Sequence, residues 1–135
     1  MREIWFRGKR LDNGQWIEGW LIRRTYPAIE TTLCYIVTKG RSLVIDTVYP
    51  VARSTAGQYT GLRDKNGKMI FEGDIVRAVD ALSRPQDTGH TFVGVVGYQD
   101  CSFVIVSDFF THYRWIDYAV EVIGNIHDNP ELLEE

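Results

Sequence analysis

Glu72 and Asp74 flank Gly73, and two carboxylates one residue apart would point to the same side of an extended chain, as a general acid–base pair requires. The same triplet is also turn chemistry, because Gly supplies positive φ and Asp bonds to nearby backbone, and the turn is the preferred reading. Cys101 is the candidate nucleophile, with His112 as the base that would have to approach it. A reactive thiol needs an electropositive setting, yet its neighbour is Asp100, so a packed or partly exposed structural thiol is expected. No Gly-x-Ser-x-Gly elbow is present.

Metal binding needs His, Cys and carboxylates at ligand spacing. His90, His112 and His127 are scattered, and Asp108 lies four before His112 in a stretch that does not read as helix, so neither a metal nor a cofactor is expected. Gly57, Gly61 and Gly67 do not make a phosphate loop, since Gly67-Lys68 is followed by Met69 rather than Ser or Thr. They read as turn glycines.

Aromatic residues are the strongest remaining signal: Trp5, Trp16, Trp20, Tyr59, Phe109, Phe110, Tyr113 and Trp115. Most should fill a small β core, while others would stack bases or anchor an interface. The run Phe109-Phe110-Thr111-His112-Tyr113-Arg114-Trp115 holds more large apolar groups than one strand can bury on one face. Phe109, Phe110, Tyr113 and Trp115 are therefore the candidate interface. Basic residues crowd at Arg7, Lys9 and Arg10 and again at Arg23 and Arg24, the candidate nucleic-acid contacts, against the plainer reading of solvated strand faces.

The elements that must position these residues read as strands and turns. Glu3 to Arg7 and Trp16 to Ile22 flank Asp12-Asn13-Gly14, a tight hairpin in which Asn-Gly supplies both positive-φ residues. Cys34–Thr38 and Leu43–Tyr49 read as strands around Lys39-Gly40-Arg41, with Pro50 ending the second. Gly57 to Lys68 is rich in turns, with Asn66-Gly67 a second tight-turn signal before the short strand Met69–Phe71. Ile75–Val79 follows, and Asp80 to His90 reads as an exposed, mobile loop. Thr91–Tyr98 and Cys101–Val106, joined by Gln99-Asp100, form a central hairpin in which Gly94 and Gly97 suggest bulges or sharp curvature. Ala119–Gly124 is a last strand, and Asn129-Pro130 starts a short C-terminal helical turn with Asn or Asp as cap.

The expected fold is thus mainly β: short antiparallel strands forming an SH3-like barrel or curled sheet, with an N-terminal β-hairpin. A chain of 135 residues is one domain's worth, here divisible into an N-terminal β subregion 1–56 and a barrel-like subregion 57–128. A net charge of −3 and a pI near 5.6 argue against coating nucleic acid by charge alone. Two cysteines outside any C-x-x-C pair, an opening without an apolar leader, and no eighteen-residue apolar run lead to the expectation of a cytoplasmic protein without a membrane partner.

Four stretches carry a resemblance. They are Arg2-Glu3-Ile4-Trp5-Phe6-Arg7-Gly8-Lys9; Asn13-Gly14-Gln15-Trp16-Ile17-Glu18-Gly19-Trp20; Gly57-Gln58-Tyr59-Thr60-Gly61-Leu62 with Asp64–Lys68 and Phe71–Val76; and Glu121–Leu132. Together they resemble the YopX-like proteins of phages and prophages, almost end to end. The departure lies between Tyr26 and Ala56. There the family approaches its glycine block through an Asp-Pro segment, whereas this chain has Val48-Tyr49-Pro50-Val51-Ala52-Arg53. The resemblance implies a mainly β chain in a bacterial host cell that self-assembles into a ring-like homo-oligomer, and it implies no activity. Three function classes follow: a non-enzymatic accessory protein acting by self-assembly and by binding host or phage proteins; a nucleic-acid-binding module; and an enzyme or small-molecule binder. The last needs a deep pocket holding Glu72, Asp74 or a histidine of perturbed pKa.

Overall fold

A computed structural model describes residues 4–38, 47–80, 91–108, 110–115 and 118–134. The turn at Lys39–Arg41, the first half of the strand read from Leu43, the loop through 81–90 with His90, and Phe109 lie outside the described residues. The chain divides into two compact units, residues 1–59 and 60–135.

The first unit is built from β1 (Phe6–Lys9), β2 (Trp16–Tyr26), β3 (Thr31–Thr38), β4 (Thr47–Val51) and the start of β5 (Gly57–Arg63). They lie in the order β4-β3-β2-β1-β5. The expected first hairpin is present, with Lys9 opposite Trp16, but its loop is longer than a tight two-residue turn. Only Gly14 has positive φ (71°), while the Asn13 side chain accepts the Gln15 N–H at 3.0 Å. Asn13 thus acts through its side chain and not through its backbone.

Pro50 does not end its strand. It lies within β4 opposite Tyr35, because β4 is an edge strand whose outer side needs no donor. The sheet curls until β4 returns to the end of β1. Arg10 and Val51 form an isolated bridge, and Ala52 N donates to Lys9 O at 2.8 Å. Within the curl, Cys34, Ile36 and Val51 are buried against Phe6, Ile17 and Leu21. Two glycines permit this. A Cβ on Gly8 would meet Val51 at 3.0 Å, and one on Gly19 would run into the Val37 carbonyl oxygen.

The stretch Gly57–Arg63, read as turns, is the strand β5: Gly57 and Gln58 pair with Arg7 and Phe6, and Thr60 Oγ1 donates to Ile70 O at 2.9 Å. The ladder claims Gly57, while Gly61 keeps a positive φ of 87° within the strand. The second unit continues with β6 (Met69–Phe71), β7 (Asp74–Asp80), β8 (Thr91–Gln99), β9 (Ser102–Val106), β10 (Thr111–His112) and β11 (Tyr118–Asn125).

Five of these form an antiparallel sheet in the order β10-β9-β8-β7-β11. It is a curled, open sheet, with no closed barrel among the described residues. β8 pairs with β7 over Thr91–Val95 and with β9 over Val95–Gln99. Gly94 and Gly97 straddle this handover, so they mark curvature, and the register shift falls instead in β11 between Val122 and Gly124. The β8–β9 turn is Asp100-Cys101, both at positive φ, so Cys101 lies in the turn and not in the strand. Ile70, Val76, Ala78, Val96, Ile105 and Val120 form the buried cluster, each such Val or Ile stabilising by about 1.5–3 kcal/mol. The C-terminal turn is a 3-10 segment, Pro130–Leu133, without a side-chain cap bond. Asn129 Oδ1 accepts instead from Asn125 N at 3.2 Å.

Candidate functional site

Of the two flanking carboxylates, Asp74 serves the turn that the sequence favoured. Asp74, 1 % exposed, accepts the Phe71 N–H at 2.8 Å across Gly73, the hydrogen bond the turn reading calls for. The residue that sequence reading passed over is Asp64. Its Oδ1 accepts from Asn66 N and Lys68 N, both at 2.9 Å, and its Oδ2 accepts from Val122 N at 2.9 Å. Burial alone would raise its pKa, but these bonds outweigh it and hold the carboxyl below its ordinary value.

Exposed Cys101 sits at a turn whose other residue, Asp100, accepts from the Tyr113 hydroxyl at 2.8 Å, while Cys34 is buried. Among the described residues no group of three or more His, Cys, Asp or Glu could hold a metal ion. No helix there is long and apolar enough to cross a membrane.

Four aromatics were the candidate interface, and the structure separates the three it describes. Trp115 packs against the second unit's core and donates Nε1–H to Phe103 O at 2.8 Å. Tyr113 is outside, tied to Asp100, and Phe110 is 68 % exposed. Phe110 stands at a groove of about 570 Å³ lined also by Phe92, Val93, Ser107, Asp108, His112, Leu132 and Leu133. His112 lies flat on Phe92, with ring centroids 4.0 Å apart. Its Nε2 is 3.2 Å from Ser107 Oγ and its Nδ1 3.2 Å from the Tyr118 hydroxyl. Burial lowers its pKa, which favours the neutral ring. These residues come from β8, the β9–β10 connection, β10, β11 and the C-terminal turn, so no spacing in the sequence announces them.

The basic residues also separate. Arg7, 9 % exposed, has its guanidinium 4.6 Å from the Trp16 ring centroid, and Lys9 Nζ is 5.5 Å from the same ring. Arg10 is paired with Asp12, its Nε donating to Oδ1 at 2.9 Å, and covers Tyr49 at 4.2 Å. Arg23 and Arg24 are successive on β2 and so point to opposite faces. Arg24 lies 5.1 Å over the Tyr26 ring, on the face that also carries Trp20, Ile22, Tyr35 and Val48. The even-numbered residues of β2 were the signal for that face, masked by Ile17 and Leu21 on the odd side.

The match to the family model described as YopX protein runs over residues 5–134. The chain belongs to the YopX family. This YopX-family chain is 32% identical over 99 residues to the SPbeta prophage-derived uncharacterized protein YopX of Bacillus subtilis (strain 168), covering 70% of this chain and 73% of the relative. Among solved structures it is similar to the crystal structure of protein EF1440 from Enterococcus faecalis, with 25% identity and a TM-score of 0.53. That likeness covers 99% of this YopX-family chain and 100% of the other.

Proposed function

We propose that this YopX-family chain is a non-enzymatic phage or prophage accessory protein that works by binding, with a second copy of itself as its first partner. Phe110 carries the reading. It protrudes beside a groove of about 570 Å³ in its own unit, with walls both apolar (Phe92, Val93) and polar (Ser107, Asp108, His112), so one patch offers both a knob and a hole. Self-assembly needs such complementarity: Phe110 of one copy entering the groove of the next closes a pair or a ring. The prophage origin of the relative and the assembly implied by the family resemblance support it. An enzyme or small-molecule reading would use the same groove, where His112 lies between the Ser107 and Tyr118 hydroxyls and its lowered pKa meets the condition set for that class.

Sedimentation velocity across the micromolar range tests the proposal. The wild-type chain is expected to sediment as an oligomer, and Phe110→Asp as a monomer with an unchanged far-UV spectrum. A wild-type monomer at every concentration, or a Phe110→Asp variant that assembles normally, would show the proposal to be wrong.

A further inference from the structure

The two units carry opposite charge. Residues 1–59 hold nine Lys and Arg against five Asp and Glu, a formal +4. Residues 60–135 hold six against thirteen, a formal −7, and the two together give the chain's −3. The low overall charge therefore conceals a basic unit, and charge asymmetry between halves points to a polyanionic partner for the positive one.

That unit presents a sheet face built for flat rings. Trp20 is 44 % exposed, with Trp5 set edge-on to it at 5.7 Å, and Ile22, Leu33 and Val48 are exposed beside it. A shallow groove of about 320 Å³ is lined by Ile22, Arg24, Tyr26, Tyr35 and Val48. The Tyr26 and Tyr35 hydroxyls lie 3.3 Å apart, linking the two side chains at their tips. Arg24 over Tyr26, and Lys9 over Trp16, bring positive charge along the same face.

We infer that this face binds single-stranded nucleic acid, with bases stacking on Trp20, Tyr26 and Tyr35 and phosphates facing Arg24. Trp20 and Tyr26 are six residues apart on β2, with Tyr35 opposite Ile22 between them, so these rings are spaced well beyond the roughly 3.4 Å per-strand rise of duplex DNA. Bases that meet them in turn must be spread apart, which a duplex forbids. On β2 this face runs Trp16, Glu18, Trp20, Ile22, Arg24, Tyr26, and exposed rings beside a cation serve a sequence-tolerant single-strand binder, because every base has a π-face.

The test is fluorescence anisotropy of a labelled oligo(dT) of about a dozen nucleotides, titrated with the full chain at about 50 and about 200 mM salt. Binding is expected at low salt and weaker binding at high salt. Trp20→Ala should weaken binding about tenfold, and Arg24→Ala about three- to fivefold with a salt slope shallower by about 0.7. Arg24 is exposed, so its variant tests the face even where loss of Trp20 disturbs the fold. Phe110→Asp, in the other unit, should leave binding unchanged, which separates this inference from self-assembly. It is overturned by no binding at low salt, by wild-type binding in both face variants, or by duplex DNA or heparin binding as tightly as oligo(dT). Displacement of the oligonucleotide by polyglutamate, with the same dependence on Trp20, would make the occupant an acidic protein segment and overturn it too.

Discussion

Asp64 ties three backbone N–H groups to one carboxylate, those of Asn66, Lys68 and Val122, and so fastens the β5–β6 turn to β11. Asp64→Ala orphans all three donors and should cost about 2–4 kcal/mol, read as a lower urea midpoint with an unchanged slope. The pH dependence follows from the lowered pKa. The unfolded carboxyl takes up its proton first as pH falls, so this stabilisation is fully present above the ordinary carboxylate pKa. It is lost as pH drops through the lower folded value, and acid unfolding of Asp64→Ala should be correspondingly flatter in that window. Single residues were legible where their role was local: Asp74 completes its own turn, as Gly73 beside it suggested. Asp64 was not, because its partner Val122 is 58 positions away and nothing in the sequence couples them.

The strands were legible wherever β-branched and aromatic residues run together, as in β3, β7 and β9. Misreadings came where a residue's local habit was overruled by its place in the sheet. Pro50 is accommodated because β4 is an edge, and Gly57 and Gly61 lie in a strand because β1 and β6 flank β5. Which strand lies at an edge is a property of the assembled sheet, so the local sequence does not encode it. The same logic makes Gly19 a structural requirement and not a turn. Its missing Cβ lets β2 and β3 approach where the sheet curls, against the Val37 carbonyl. Gly19→Ala should therefore cost about 1–3 kcal/mol despite the better strand fit of a side chain, and thermal melting would register it. Gly14→Ala makes the contrast: no atom lies within 4 Å of an added Cβ there, so any loss would come only from the positive φ of 71°.

At the scale of the whole molecule, the informative quantity is how charge is divided, which a net value of −3 averages away. On that average, composition argued against coating nucleic acid by charge alone, and only the division at residue 59 shows a unit of +4 joined to one of −7. An ion exchanger sees surface regions and not the sum. At pH 7 and low salt the chain should bind an anion exchanger, as its pI near 5.6 requires, and also be retained on a heparin or sulfopropyl column. A protein with the same net charge spread evenly would pass through the second column. Because both interactions are between exposed charges, each should be released by moderate salt, where the Debye length falls below about 8 Å. Arg24→Glu should shorten retention on the cation exchanger while lengthening it on the anion exchanger. Unchanged retention on both columns would mean that Arg24 is not part of the positive surface, and the sheet face would lose the charge that selects its partner.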